Sequence, residues 1–577
     1  MKLRRLTIRN YRGIRRCDWD LTTNLLALVG PGDSTKTTLL DAVGAVLSPT
    51  YTLKFTDADF FQCATTEPIT ITAVVTDLPD FLVQENQLGK DRSGIHPDGT
   101  LVHDPVEGVQ ECLIIRLTVS IELEPVWEVI RPDSEEARPI SASQRQRLGF
   151  FRVGDDADLH LRWTRTSALS GLTSKGHGPA VVLEAHRQAR NAVFDAQPQA
   201  LLEAAAIAQD SARKIGSAPF QRLRPGLEPS TAASAHGLVL HEDMVPLTHY
   251  GLGTRRLTSL GIQAEAVAEG SIITIDEIES GLEPHRLTHL LHLLNQETAN
   301  QSIQVIFTTH SPIAVENLTT SDLAVVRHDG GITTVHGVPS ALEEAPDVQG
   351  VLRSAPSAVL ARKIIVGEGA TEVGFLRGVF KDQDVRRRTA GQPGASSLGL
   401  AIVDGKGGTA PSRACLFQQL GYPSLLLIDN DDRSVDDAAR VSEEQGVQVL
   451  RWTYERALED ELAHALDSAG LQDLVKIAAD MRSEEGVCSA VAAKLGVKKL
   501  EGINPLEWAA ATGMNLEDVR IAIGLAAKSK NAWFKSEEGG ERLAQLTMAY
   551  QNRLRSDLLP TVMRHLIEFV YDEQPVF

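Results

Sequence analysis

The chain opens on alternation. In MKLRRLTIRNYRGI basic and apolar residues take turns, the period-two pattern of a half-buried strand. NLLALVG follows as a short apolar run, GPGDSTKTT interrupts it, and LLDAVGAVL resumes with helical spacing, so residues 1–48 read as strand, strand, loop, helix. Further β-type segments are expected at 70–75, 112–122 and 126–131, with a Gly/Pro/Asp-rich loop across 89–108. Residues 180–215 are Ala-rich with apolar positions at helical spacing; they predict two or three helices without the sustained heptads of a coiled-coil arm. SIITID at 271–276 and IQVIFT at 303–308 are short, β-branched and apolar, and the helical pattern EPHRLTHLLHLLNQE lies between them. Strand–helix–strand alternation predicts a parallel sheet. Pro, Gly and acids concentrate at 341–357 and mark a boundary, and a second α/β unit begins at Ala361. Beyond about residue 455 the pattern is helical, with loops expected at 483–486, 502–505 and 536–540.

Two apolar runs of the second unit end in acid. ARKIIV leads into GEGATE, with Glu368 and Glu372, and YPSLLL leads into IDNDD, with Asp429, Asp431 and Asp432. Either cluster alone is ordinary turn chemistry, since Asp and Asn favour turns on their own account. Both together, at the carboxyl ends of neighbouring parallel strands, would share the crevice where open α/β sheets place ligands. Carboxylates crowded there repel one another unless a divalent cation neutralises them, and an all-oxygen site suits Mg²⁺ or Mn²⁺ and phosphodiester chemistry. Glu368, Glu372, Asp429 and Asp431 are the main expected ligands, with Asp432 secondary. Glu459 and Asp460 are candidates for a second metal, and Asp404, in VDGKGG after the run LGLAI, is a further one.

The first unit carries a different signature. The loop at 30–38 sits between an apolar strand and an apolar helix, the setting a phosphate-binding loop requires. Gly30 and Gly32 open the backbone to phosphate, Lys36 would reach the β- and γ-phosphates, and Thr37, followed by Thr38, would ligate Mg²⁺ through its hydroxyl. The usual loop has glycine before the lysine; this chain has Thr35, whose side chain is expected to crowd the phosphates. Asp276, at a strand end, is suited to hold Mg²⁺ through water, and Glu277 beside it to orient or deprotonate an attacking water.

Composition narrows the class. A length of 577 residues implies two to four domains. No apolar stretch is long enough to span a bilayer, so no membrane association is expected. Five scattered cysteines without CxxC spacing point to a reducing cytoplasm and to neither a disulfide framework nor a zinc site. The formal net charge of −19 argues against a basic DNA-coating protein while leaving room for a local positive groove. The basic candidates are Arg386–Arg388, Lys498 and Lys499, and Lys528, Lys530 and Lys535.

These motifs carry resemblances. GPGDSTKTT, SIITIDE, SGLEPH and IFTTHSP resemble the loops of ABC/SMC-like ATPases, and RNYRGI with Arg12 is similar to RecF-like openings. The resemblance implies a D-loop at 280–285 and a γ-phosphate-sensing switch histidine at His310. It also implies a signature motif at 247–257 in which Gly251, Gly253 and Thr254 stand for the common serine and glycines. Signature motifs act in trans, so a homodimer or higher self-assembly is implied. The second unit resembles a TOPRIM domain through Glu368, Asp429 and Asp431, and Lys535 falls where related nucleases carry a lysine that stabilises transition-state charge. An ABC-type ATPase followed by TOPRIM resembles the OLD (overcoming lysogenization defect) nuclease family, of which the nuclease subunits of Gabija systems are members of similar layout. The fold class so implied is α/β. An ATPase domain at 1–350, with a helical, dimerising insertion at about 155–235, is followed by a TOPRIM domain with a helical extension at 358–577. The implied function is an ATP-regulated, Mg²⁺- or Mn²⁺-dependent DNA endonuclease or nickase in anti-phage defence, forming dimers or tetramers and paired with a helicase-like protein. The competing expectation is a RecF/SMC-like DNA clamp with a non-cleaving TOPRIM scaffold.

Overall fold

The computed structural model describes residues 1–49, 53–84, 87–134, 136–153, 157–162, 239–242, 245–266, 271–300, 303–339, 347–528 and 532–571, with isolated helical positions between 184 and 203. The helical insertion expected at 155–235 lies almost entirely outside the described residues. A large mixed sheet organises the first 337 residues. Its parallel block runs Phe150–Val153, Ile272–Ile275, Gln304–Thr308, Leu25–Val29 and Leu323–Asp329. Leu25–Val29 and Gln304–Thr308 are buried at every position, as befits strands covered on both faces. The helix Pro284–Asn300 makes the crossover between Ile272–Ile275 and Gln304–Thr308. Ile332–Gly337 turns back antiparallel on Leu323–Asp329 and joins the block to an antiparallel region through Ile14–Asp20, Lys2–Tyr11, Ile69–Thr76 and Gln110–Val119. The opening stretch, read from the sequence as one strand, is two: the backbone reverses at Arg12, at φ 48°, and Ile14–Asp20 pairs back on Lys2–Tyr11. Adjacent exposed Arg15 and Arg16 interrupt the alternation that would have announced the second strand.

The second sheet has four parallel strands in the order Leu400–Asp404, Lys363–Gly367, Ser424–Ile428, Gln448–Arg451. The chain goes first to one side of Lys363–Gly367 and then to the other, so a topological switch point falls between the two central strands. Side chains alternate between two cores. Ile364, Val366, Leu426 and Ile428 pack with Ala27, Val29, Phe307 and Val325 of the first sheet, whereas Ile365, Leu425 and Leu427 face the C-terminal helices. One apolar layer thus joins the two units.

On the opposite face the helix Ala370–Thr389 lies against Glu537–Tyr550 at unusually short range. A Cβ added at Gly374 would collide with the Glu537 carbonyl, and one at Gly540 with the Thr371 carbonyl. The helix Glu537–Tyr550 begins where a loop at 536–540 was expected. Ser536 accepts a hydrogen bond from the Gly539 N–H at 3.0 Å, and Ser483 likewise caps Glu484–Leu495 through Gly486 at 3.1 Å. Both SEEG stretches, read as breaks because of their Ser and Gly, are N-caps with acids in the first turn. Gly540→Val is expected to lower stability by about 1–3 kcal/mol through overpacking. Thermal unfolding tests this, and an unchanged midpoint would show that the two helices do not meet at this distance.

Candidate functional site

The crevice at the switch point is built by strand ends. Glu368 follows Lys363–Gly367 and Asp429 follows Ser424–Ile428, in a register that pairs Gly367 with Leu427. Two backbone bonds lock the two acids side by side: the Glu368 N–H donates to Leu427 O at 3.0 Å, and the Asp429 N–H donates to Glu368 Oε2 at 2.8 Å. Glu372 lies in the first turn of Ala370–Thr389 and accepts the Gly369 N–H at 2.9 Å, which turns its buried carboxylate back toward the strand ends. The fourth acid arrives from a segment far along the chain. Asn430 donates to Trp452 O at 3.0 Å and exchanges backbone bonds with Glu455 and Arg456, clamping the loop after Gln448–Arg451. That loop delivers the helix Leu458–Ala465, whose Leu458 N–H donates to Asp429 Oδ1 at 3.1 Å and whose Glu459 is buried.

The charges of these groups act on one another. Burial, then the fields of Glu459 and Glu368, push the Glu372 carboxyl up to about 8. Burial, reinforced by Glu372, Glu459 and Glu368, raises Asp429 well above the carboxylate range. Burial also raises Glu368 and Glu459, and in both Lys535 acts in the opposite direction. Asp431 stands at the rim and contributes its field to Glu368, Asp429 and Glu459. The structure therefore brings Glu368, Glu372, Asp429, Glu459, Asp431 and Lys535 together. Asp460 is near but committed: it caps its own helix at Ala457 N–H and pairs with Lys528 Nζ at 2.6 Å, while Lys528 also reaches Asp431 at 3.4 Å.

Two expected ligands stand apart. Asp404 is tied to Lys406 by a backbone bond of 2.8 Å and an ion pair of 2.6 Å, and its charged neighbours are Lys406 and Arg413. Asp432 is exposed and caps Ser434 N–H at 2.8 Å, touching the cluster only through its field on Glu368. Among the described residues no three carboxylate, imidazole or thiol side chains form a ready-made ion cage. Glu368, Glu372 and Asp429 each turn an oxygen to a backbone N–H instead. The donor set nonetheless suits a hard divalent cation: every donor is oxygen, and buried like charges are what such an ion relieves. Of the basic candidates, Arg387 is buried and stacks over Tyr571 at 4.1 Å, Arg386 pairs with Asp382, and Lys499 pairs with Glu501 at the exposed surface. Lys530 lies outside the described residues.

The loop read as phosphate-binding lies between the strand Leu25–Val29 and the helix Lys36–Val46. Lys36 is buried, and its ammonium donates to Gly30 O, Pro31 O and Ser34 Oγ at 3.1, 2.7 and 3.1 Å. Burial lowers it to about 8, against the fields of Asp33, Asp276, Glu279 and Glu277. Thr35 does not lean over the loop. At φ 67° its hydroxyl bonds Ser34 O and meets Thr333 Oγ1 at 2.9 Å. Thr37 and Thr308 both donate to Asp276 Oδ1, at 3.2 and 2.5 Å, and Thr38 follows in the first helical turn. Glu277 sits at φ 44° with its N–H on Thr308 Oγ1 at 2.8 Å. The sequence reading missed two organisers here. Glu279 holds Thr309 Oγ1 at 2.7 Å and the His310 N–H at 2.6 Å. Arg256, buried in the helix Leu252–Ala266, caps the carbonyls of Asp276, Glu277 and Ser280. Gly253 in that helix packs on the Gly281 carbonyl. Burial and the nearby Lys36 charge keep the His310 imidazole below its usual pKa. Arg12 pairs with Asp59 at 2.8 Å and with Asp41, which also meets Arg152.

The raised carboxyls fix a sign. A Glu372 that titrates near 4.5 unfolded and about 8 folded favours the protonated fold. Its contribution to stability is complete below about pH 4.5 and is lost as pH rises toward 8. A cation that takes the ionised form stabilises increasingly over the same range. With chelator present, the melting midpoint is expected to fall across this window. Glu372→Gln should flatten the fall, and Mg²⁺ or Mn²⁺ at pH 8 should raise the midpoint. A flat profile with no metal response would contradict the cluster.

Residues 114–316 match a family model described as "AAA domain, putative AbiEii toxin, Type IV TA system". The match spans Asp276, Glu277 and His310 and begins after the phosphate loop. No curated protein is similar to the chain in sequence. Among solved structures, an SMC head domain from Thermotoga maritima aligns over 59% of this chain and 100% of its own, at 14% identity and a TM-score of 0.29. An Smc head domain with an extended coiled coil bound to the C-terminal domain of ScpA, derived from Pyrococcus furiosus, aligns over 58% and 95%, at 12% identity and a TM-score of 0.34. Likenesses so slight carry no weight. Among the described residues no helix is long and apolar enough to cross a membrane. With the family match, the chain carries an ATPase domain of the AAA kind, for which ATP is the implied ligand.

Proposed function

We propose that the chain is an ATP-regulated, divalent-metal-dependent DNA endonuclease or nickase of the OLD type, its second sheet a TOPRIM nuclease unit. One observation carries the reading: Glu368, Glu372, Asp429 and Glu459 converge at the switch point of a parallel sheet, Glu372 and Glu459 buried and Glu368 and Asp429 half-buried. Structural acids are seldom gathered against their own repulsion, and perturbed clusters of this kind concentrate at functional sites. These four residues would hold the metal, with Asp431 at the rim. A bound divalent cation supplies Lewis-acid activation of water and charge stabilisation at the leaving oxygen. Lys535, exposed at the crevice edge, offers its ammonium to the non-bridging phosphate oxygens, where charge develops. Lys528 keeps Asp460 and Asp431 in place without a metal.

On the ATPase side Lys36 and the helix N-terminus meet the phosphates, Asp276 with Thr37 serves the Mg²⁺ position, and Glu277 orients water. Self-association through the ATPase units would let Gly253 of one copy meet the nucleotide of another. A DNA clamp with a non-cleaving second unit is the alternative; the Lys528 ion pairs, which neutralise part of the acid without any metal, favour it.

Supercoiled plasmid with Mg²⁺ or Mn²⁺ separates the two. The nuclease nicks or linearises it, and Glu368→Ala lowers the rate by about 100-fold or more; a clamp retards the DNA and leaves it whole. Lys36→Ala should change how cleavage responds to ATP. Cleavage by that variant that matches the parent at every ATP concentration would refute the regulatory part.

A further inference from the structure

The phosphate loop is touched by a residue from the other sheet. Arg362 immediately precedes Lys363–Gly367; its Nη2 donates to the Gly32 carbonyl at 3.3 Å and lies 3.7 Å from the Asp33 carboxylate. Asp33 also leads the carboxylates whose field acts on the buried Lys36 ammonium. One loop carboxylate thus pairs with Arg362, ahead of a strand of the second sheet, and lies in the field of Lys36, at the head of the helix after the loop. The Arg362 backbone is pinned. Its N–H donates to Gly399 O at 2.7 Å, and its carbonyl accepts from Arg327 Nη2 at 3.4 Å. Arg327 belongs to Leu323–Asp329, the strand beside Leu25–Val29, and stacks over Tyr422 at 4.7 Å. The Arg362 side chain is 56% exposed and that of Asp33 98%, so the pair itself adds little to folding and its head groups are accessible.

We propose that Arg362 is a nucleotide-sensing residue. It pairs with Asp33 when the loop holds no phosphate and turns to the terminal phosphate when a nucleoside triphosphate is bound. A planar guanidinium matches phosphate oxygens as a two-pronged donor, a better partner than a single solvated carboxylate oxygen. A triphosphate brings the extra anion that a diphosphate lacks, so Arg362 discriminates between them. The strand it heads runs five residues, about 17 Å, to Glu368, whose N–H is bonded to Leu427 O. The state of the loop is thereby presented at one end of the strand that carries the first acid at its other end. The inference rests on the nucleotide reading of the loop and not on the nuclease reading.

Calorimetric titration of the full chain with a non-hydrolysable triphosphate and with ADP tests it. Arg362→Ala is expected to weaken triphosphate binding about tenfold and ADP binding less than about twofold. Arg362→Lys, which keeps charge and loses the fork, should fall between. Asp33→Asn, which releases Arg362, should tighten the triphosphate, and it decides the matter should Arg362→Ala not fold. Equal losses for the two nucleotides, no loss at all, or a parent chain that binds neither would overturn the proposal. DNA cleavage plays no part in the readout, so its failure would leave this result standing.

Discussion

Four carboxyl groups gathered in one crevice, Glu372 and Glu459 of them buried, set the terms for the rest of this molecule. At an effective dielectric of about 20, two such charges 4 Å apart repel by about 4 kcal/mol, and here four acids share one crevice. Packing that has no stake in the charges holds them there. Ala370–Thr389 and Glu537–Tyr550 approach so closely that only glycine fits at Gly374 and Gly540. That contact sets Glu372 over the strand ends and hangs Lys535 at the head of the partner helix. Thr371 Oγ1, bonded to Phe534 O at 3.2 Å, ties the two down one residue from each charge. Buried Trp452 and Phe375, edge to face at 6.1 Å, fill the space beneath. Apolar burial thus offsets the electrostatic cost that the crevice imposes.

The same logic joins the two sheets. Ile364, Val366, Leu426 and Ile428 share a core with Ala27, Val29 and Phe307, so the strand before the phosphate loop and the strands before the acids lie in contiguous packing. Small displacements at one end of a close-packed layer are not absorbed as they would be in a liquid. The polar seam repeats the connection: Arg327 on Tyr422, the Tyr422 hydroxyl on Val359 O at 2.6 Å, and Arg362 on the phosphate loop. An ATPase unit and an acidic crevice linked this way differ from two domains on a linker, which would share no core.

Much was legible locally because local rules produced it. The runs ending at Gly367 and Ile428 are apolar at every position or nearly so, and such runs followed by acid could be read as buried strands ending in one crevice. Asp276 with Thr37, and Lys36 within its loop, followed from motif spacing. Where the reading failed, one residue type served two purposes. SEEG resembles a break, yet its serine accepts an N–H and begins a helix at Ser483 and Ser536. Asp404 looks like Asp429, an acid after a strand. It differs because Lys406, two residues on, is within reach and pairs with it. Asn430, in the middle of the acidic motif, is a clamp on the Trp452 carbonyl.

By itself the sequence determined most of the strands, the parallel sense of pairing around Ile272–Thr308 and in the second sheet, and the carboxyl-end position of Glu368 and Asp429, since apolar periodicity and chain continuity suffice for those. It could not say that Glu459, ninety-one positions from Glu368 by subtraction of their numbers, would close the crevice, or that Lys528 would occupy Asp460. Nor could it place Arg362 on a loop more than three hundred residues earlier in the chain. Those pairings depend on how helices stack after the strands have formed. Stacking is decided by shape and volume across the whole core, which no local window of residues contains.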